Sequence, residues 1–305
     1  MNPAPKISVF HEGRDQVGES PLWDRERNAL WWVDINGKTI RRKSFSKPGG
    51  LTDFPLDIMP GALALVEDGT LVVAASTGWF VLDEALGRLT KLAEVKTPLP
   101  DMRMNDGVVD PAGRFWAGTM HMPAEREPVG TLYAFDGNNA VTSIDGLRTQ
   151  NGCAISPDGK TFYLADSHPA VCTIWAFDFD AATGALENRR VFHKPAHGRP
   201  DGACVDAEGC YWFAAVDGGR IVRLDPAGEE IAAVELPVSR PTKPVFGGAD
   251  LSTIFVTSMS AGLDAAQLER EPLAGSVFAV ETGVRGFAQP RFKQIPARQF
   301  AGAGA

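Results

Sequence analysis

RNALWWVD (27–34), GTLVVAAS (69–76), GRFWAGTM (113–120), GKTFYLAD (159–166), GCYWFAAV (209–216) and STIFVTSM (252–259) are six variants of one segment. Each starts polar or small and runs into aromatic and β-branched residues, the side chains that suit a pleated sheet surface. A turn carrying Asp, Glu, Gly or Ser precedes each one. One equivalent position per copy gives Asp24, Glu67, Asp110, Ser156, Asp206 and Gly248, spaced 43, 43, 46, 50 and 42 residues apart. That is the period of a four-stranded propeller blade, about 40–50 residues.

Third strands follow in register at 38–45, 77–83, 130–136, 173–179, 219–225 and 275–281, and fourth strands at 51–56, 89–95, 140–145, 186–193 and 229–236. The sequence therefore predicts an all-β fold, a six-bladed β-propeller with four-stranded antiparallel blades around a central channel. It is expected to form a single domain over 1–300, with a short flexible tail, AGAGA, at 301–305. The sixth blade lacks a fourth strand after its third. KISVF (6–10) or RFKQIP (291–296) is available to complete it, and closure by either removes a sheet edge. The long amphipathic helices of a two-domain α/β fold are absent.

The composition agrees. Of 305 residues, 44% are hydrophobic, enough for a large core, and Gly 32 with Pro 22 suits many turns between short strands. Thirty basic against 38 acidic residues leave a net charge of −8. Such a surface repels phosphate backbones and anionic lipid, so neither nucleic acid nor membrane is an expected partner. Met1 to Phe10 has no long apolar run of the secretory kind. Cys153, Cys172, Cys204 and Cys210 form no C-x-x-C pair. They read as reduced thiols of a cytoplasmic protein.

In a propeller the first strand of each blade lines the channel, so equivalent positions form a ring about the axis. Five residues before each turn marker stand Glu19, Ala62, Asn105, Asn151, Asp201 and Lys243. Four of the six carry side-chain oxygens, the donors that hard divalent cations take. Asn-Asp-Gly (105–107), Asn-Gly (151–152) and Asp-Gly (201–202) are each ordinary turn signals alone. Their shared offset in separate copies is what points to a metal. Lys243 is expected to pair with a carboxylate in preference to a substrate anion. Nucleophilic catalysis has little support: no G-x-S-x-G elbow occurs, and His11, His121, His168, His193 and His197 share no metal-ligand spacing. His121, just beyond Thr119 and Met120, is a candidate substrate contact.

Across roughly residues 8 to 285 the sequence resembles the senescence marker protein/gluconolactonase/luciferin-regenerating enzyme family, also called regucalcin-like. The matching motifs are Gly-Glu-Ser-Pro (18–21), Arg-Met-Asn-Asp-Gly (103–107) with Asp-Pro-Ala-Gly-Arg-Phe-Trp-Ala-Gly-Thr-Met (110–120), Asn-Gly with Ser-Pro-Asp-Gly (156–159), Pro-Asp-Gly (200–202) and Phe-Gly-Gly (246–248) with Val-Thr-Ser (256–258). The resemblance implies one divalent metal held by Glu19, Asn151 and Asp201, with Asp201 as general base and Arg103 and Asn105 binding substrate. The ion is expected to be Ca2+ foremost, with Zn2+, Mg2+, Mn2+ or Fe2+ as alternatives. Some members carry an acidic residue in the loop after Gly-Thr-Met. Here the loop reads Gly-Thr-Met-His-Met (118–122), so His121 departs from that pattern. The expected activity is metal-dependent hydrolysis of a sugar lactone such as a glucono-, xylono-, arabinono- or galactonolactone. Organophosphate hydrolysis on the same metal and a non-catalytic calcium-binding scaffold are the alternatives. Sugar, ring size and oligomeric state stay open.

Overall fold

Strands that read as continuous apolar runs require cover on both faces, and the computed structural model supplies it by packing blade against blade. Residues 5–45, 49–76 and 78–293 are described. The chain begins with β1 (Lys6–His11). Blade 1 is β2 (Gly18–Asp24), β3 (Ala29–Asp34), β4 (Thr39–Ser44) and β5 (Leu51–Pro55). Blade 2 is β6 (Pro60–Leu65), β7 (Leu71–Ala75), β8 (Gly78–Asp83) and β9 (Arg88–Glu94). Blade 3 is β10 (Met102–Val109), β11 (Phe115–His121), β12 (Gly130–Phe135) and β13 (Ala140–Leu147). Blade 4 is β14 (Gln150–Ile155), β15 (Thr161–Asp166), β16 (Thr173–Phe179) and β17 (Leu186–His193). Blade 5 is β18 (Arg199–Val205), β19 (Tyr211–Val216), β20 (Arg220–Leu224) and β21 (Glu230–Glu235). Blade 6 is β22 (Pro241–Gly247), β23 (Thr253–Ser258) and β24 (Val277–Glu281), completed by β1. The protein is thus all-β, a ring of six antiparallel four-stranded blades.

Aromatic side chains on the first, second and third strands carry the inter-blade core. Trp79 stacks on Phe135 at 4.7 Å between ring centroids, joining blades 2 and 3. Trp116 meets Phe162 at 5.0 Å between blades 3 and 4, and Tyr163 meets Tyr211 at 4.9 Å between blades 4 and 5. Trp23 stacks on Phe255 at 5.3 Å where blade 6 meets blade 1. The turn markers have a structural duty. Asp110 Oδ1 accepts from Arg114 N (2.9 Å) and its Oδ2 from Trp116 Nε1 (2.8 Å). Asp206 repeats this arrangement with Cys210 N (3.0 Å) and Trp212 Nε1 (2.9 Å).

Closure comes from the N-terminal side: β1 pairs antiparallel with β24 from Lys6↔Glu281 to His11↔Val277. The competing segment runs elsewhere. Phe292 N bonds Leu65 O (2.8 Å) and Lys293 N bonds Gly113 O (2.9 Å), and the buried Phe292 ring stacks on Phe135 at 5.6 Å. The rest of RFKQIP and the proposed tail at 301–305 lie outside the described residues. One short helix, α1 (Ala265–Arg270), interrupts the β23–β24 connection and buries no residue. Among the described residues no helix is long and apolar enough to cross a membrane, and all four cysteines are free.

Candidate functional site

All six innermost strands break register at the ring position. The shifts fall at Glu19/Leu22, Pro60/Ala62, Met104/Gly107, Asn151/Ala154, Pro200/Ala203 and Pro241/Pro244. A bulge bends a strand and re-aims its side chains; repeated six times at one height, it builds a ring. Asn-Asp-Gly, Asn-Gly and Asp-Gly therefore sit within β10, β14 and β18 and not in turns. The glycines have local reasons. Gly152 adopts φ 62°, where an L side chain is strained, and a Cβ on Gly202 would come within 2.5 Å of the Lys243 stem.

Glu19, Asn105, Asn151 and Asp201 are all buried here. Asn105 Nδ2 donates to Asn151 Oδ1 at 2.8 Å and to Gln150 O at 2.6 Å. Arg103 Nη1 donates to Asn105 Oδ1 at 2.6 Å and to Met104 O at 3.0 Å. Asn151 Nδ2 donates to Ser167 Oγ at 2.7 Å, and that hydroxyl donates to Pro200 O. Glu19 Oε2 accepts from Ser20 N at 2.7 Å. Ala62 fills its ring position without a donor. Lys243 turns away from a ligand role: its Nζ is ion-paired with buried Asp106 and donates to Gly107 O at 3.0 Å. Asp106 also accepts from Cys153 N at 2.9 Å, which makes it a hub that the ring offset did not reveal. His121 ends β11 opposite Met102, and its Nδ1 accepts from Glu127 N at 3.4 Å.

Charge in the site is unbalanced. Burial raises Glu19 well above the usual carboxylate range, and the charges of Asp201 and Asp106 add to the rise. Burial likewise raises Asp201 to about 7, against the opposing pull of Arg199, Arg103 and Arg126. Burial lowers Arg103 to about 10, helped by the neighbouring charge of Arg126. For Lys243, burial pulls downward, but Asp106 and Glu19 more than offset it. Two buried acids that repel each other, beside amide oxygens, form a set that a dication would neutralise. Among the described residues no group of three or more His, Cys, Asp or Glu gathers for a metal. The axial set reaches three donors only because an asparagine amide stands beside two carboxylates. Oxygen donors of this kind fit a hard ion.

Sequence reasoning passed over Arg126, in the loop after β11. That loop lies outside the repeated strands, so no periodic signal marks it.

An oxygen-bearing ring buried on the inner strands of a six-bladed propeller, with a buried arginine beside it, defines the class of protein: a β-propeller with a polar site in its central channel. The family model described as the SMP-30/Gluconolactonase/LRE-like region matches residues 17–260, and the chain belongs to that family. It is similar to the 6-deoxy-6-sulfogluconolactonase of Pseudomonas putida, at 38% identity over 278 residues covering 90% of this chain and 94% of that one. It is 39% identical to regucalcin of Gallus gallus over 97% of this chain and 99% of that protein. A solved regucalcin of Agrobacterium tumefaciens, described as a calcium-binding protein, superposes with a TM-score of 0.89 at 31% identity, covering 96% of this chain and 98% of that one.

Proposed function

We propose that this protein is a lactonase that hydrolyses a sugar lactone to its aldonic acid at the axial site. The carrying observation is the convergence of Glu19, Asn105, Asn151 and Asp201 at one height of the channel, in a chain of the gluconolactonase-like family. A sulfogluconolactonase among its relatives supports a sugar lactone as the substrate class. A calcium-binding relative supports a divalent ion, Ca2+ foremost, on Glu19, Asn151 and Asp201. When bound, that ion supplies Lewis acidity to the lactone carbonyl and to water.

The chain's own residues do the rest. Asp201 takes the proton of the attacking water as the new C–O bond forms, and returns it to the ring oxygen when the lactone C–O bond breaks. Arg103 has one nitrogen occupied by Asn105 and Met104. The rest of its planar donor fork is directed to carbonyl and hydroxyl oxygens of the sugar. Asn105, fixed between Arg103 and Asn151, orients the same oxygens, and His121 contacts the sugar from the end of β11.

The test is acid release from glucono-, xylono-, arabinono- and galactonolactone, with spontaneous hydrolysis subtracted and paraoxon as a control for phosphoester cleavage. Protein stripped with EDTA is expected to lose activity and to regain it with Ca2+ or another divalent ion. Hydrolysis no faster than the spontaneous rate with every ion would overturn the reading, and paraoxon cleavage alone would replace it.

A further inference from the structure

The loop between β11 and β12 (122–129) rises at the end of the channel that holds Arg103, because His121 at the close of β11 faces Met102 at the start of β10. Arg126 turns inward from this loop. Its N–H bonds Pro123 O at 3.0 Å, its φ is 43°, and its Nη1 lies 3.3 Å from Sδ of Met120. Met120 is the ladder partner of Arg103. Two guanidinium groups are thereby brought to one corner of the site.

The loop is pinned on both sides of Arg126. Arg148 Nη1 donates to the carbonyls of Glu125 (3.3 Å) and Arg126 (2.9 Å), and Glu127 N bonds His121 Nδ1. Arg103 is buried and Arg126 half-buried. A guanidinium withdrawn from water ordinarily has an anionic partner. Among the described residues eleven other arginines have one. Of the rest only Arg103, Arg126 and Arg148 are withdrawn from water. Arg148 is spent on the loop carbonyls, whereas Arg103 and Arg126 make only neutral hydrogen bonds and feel the Asp201 carboxylate without pairing with it. Nearby Arg199 is already held by Asp217, with Nη2–Oδ2 at 2.6 Å. Glu125 and Glu127, which flank Arg126, are exposed and form no ion pair with it.

We propose that Arg126 is an anion subsite beside the sugar-binding Arg103, and that the lactone taken here carries a negatively charged substituent remote from the ring carbonyl. Sulfonate, phosphate ester and carboxylate share the oxygen face that a guanidinium fork recognises. The inference rests on the lactonase reading and adds a specificity determinant to it.

The experiment compares gluconolactone with its 6-sulfonate, 6-phosphate and 6-carboxylate analogues on the full-length, metal-loaded protein. At least one anionic analogue is expected to exceed the neutral lactone in kcat/KM by about 10- to 100-fold, the scale of a charge-assisted hydrogen bond. The three analogues show which anion the corner prefers. Arg126→Ala should collapse that ratio toward unity, mainly through KM, while Arg126→Lys keeps part of it by retaining the charge. A wild type that turns over the neutral lactone as well as every anionic one overturns the subsite, as does a ratio unchanged in Arg126→Ala. Failure to hydrolyse any lactone, neutral or charged, instead removes the lactonase reading beneath it.

Discussion

Asp201 carries two duties in the proposed reaction, holding an ion and moving a proton, and exchanging one carboxylate oxygen for an amide nitrogen separates them. Asp201→Asn keeps an oxygen ligand and loses the base. Metal affinity is expected to fall modestly while turnover falls by about 10²-fold or more, the usual scale for removing a general base. Arg103→Ala, by contrast, should act chiefly on KM, because it removes binding and leaves the chemistry in place. Metal titration and steady-state kinetics on the two variants make the comparison. Near-full turnover by metal-saturated Asp201→Asn would reduce Asp201 to a ligand. At this scale the ring was readable in the sequence, because Glu19, Asn105, Asn151 and Asp201 recur at one offset from local turn markers. Arg126 was not, because it reaches the site from a loop that no repeat aligns.

The inner strand is the element that converts a repeat into a site. Its bulge is the device, and its sequence mark, Asn or Asp before Gly, is shared with ordinary turns. Only pairing with β11, β15 and β19 shows that these residues belong to broken ladders inside strands. Gly202 tests the device. A methyl there would stand about where the Lys243 stem lies, at 2.5 Å, so either the stem or the strand must move. Gly202→Ala is expected to cost roughly 1–3 kcal/mol, the range for overpacking a filled interior. It should also lower lactone turnover, since Gly202 adjoins Asp201. Chemical denaturation beside kinetics reads both effects. Wild-type turnover in the Gly202→Ala variant would show that the close approach does not position Asp201. The outer strands were legible for a different reason: β17 and β21 are mostly exposed and sit at a regular distance from their neighbours.

A ring must close, and this one closes with β1 against β24. Phe10 of β1 also packs edge-on to Phe255, with ring centroids 4.8 Å apart. Removing residues 1–11 opens the edge of β24, which carries the buried side chains Val277, Phe278 and Val280. The truncated chain is expected to lose roughly 3–5 kcal/mol, comparable to deleting a large aromatic from a core, and to self-associate as concentration rises. Phe292→Ala, packed against blades 2 and 3, should be destabilised to a similar extent without associating, because it opens no sheet edge. Denaturant midpoints and size-exclusion profiles distinguish the two. A truncated protein that stays monomeric and cooperative would show that the blade holds without its fourth strand.

The amino-acid sequence by itself determined the period, the number of blades and the four oxygen-bearing ring positions, all of which follow from local alternation, turn chemistry and counting. Tertiary structure alone decided which end of the chain completes blade 6, where Lys243 places its charge and what Arg126 faces. Asp106 and Lys243 are 137 residues apart in the chain, and Lys6 pairs with Glu281 across nearly its whole length. Contacts of that range have no periodic trace. They are settled when six blades pack into a ring and bring Lys243 against Asp106 and β1 against β24.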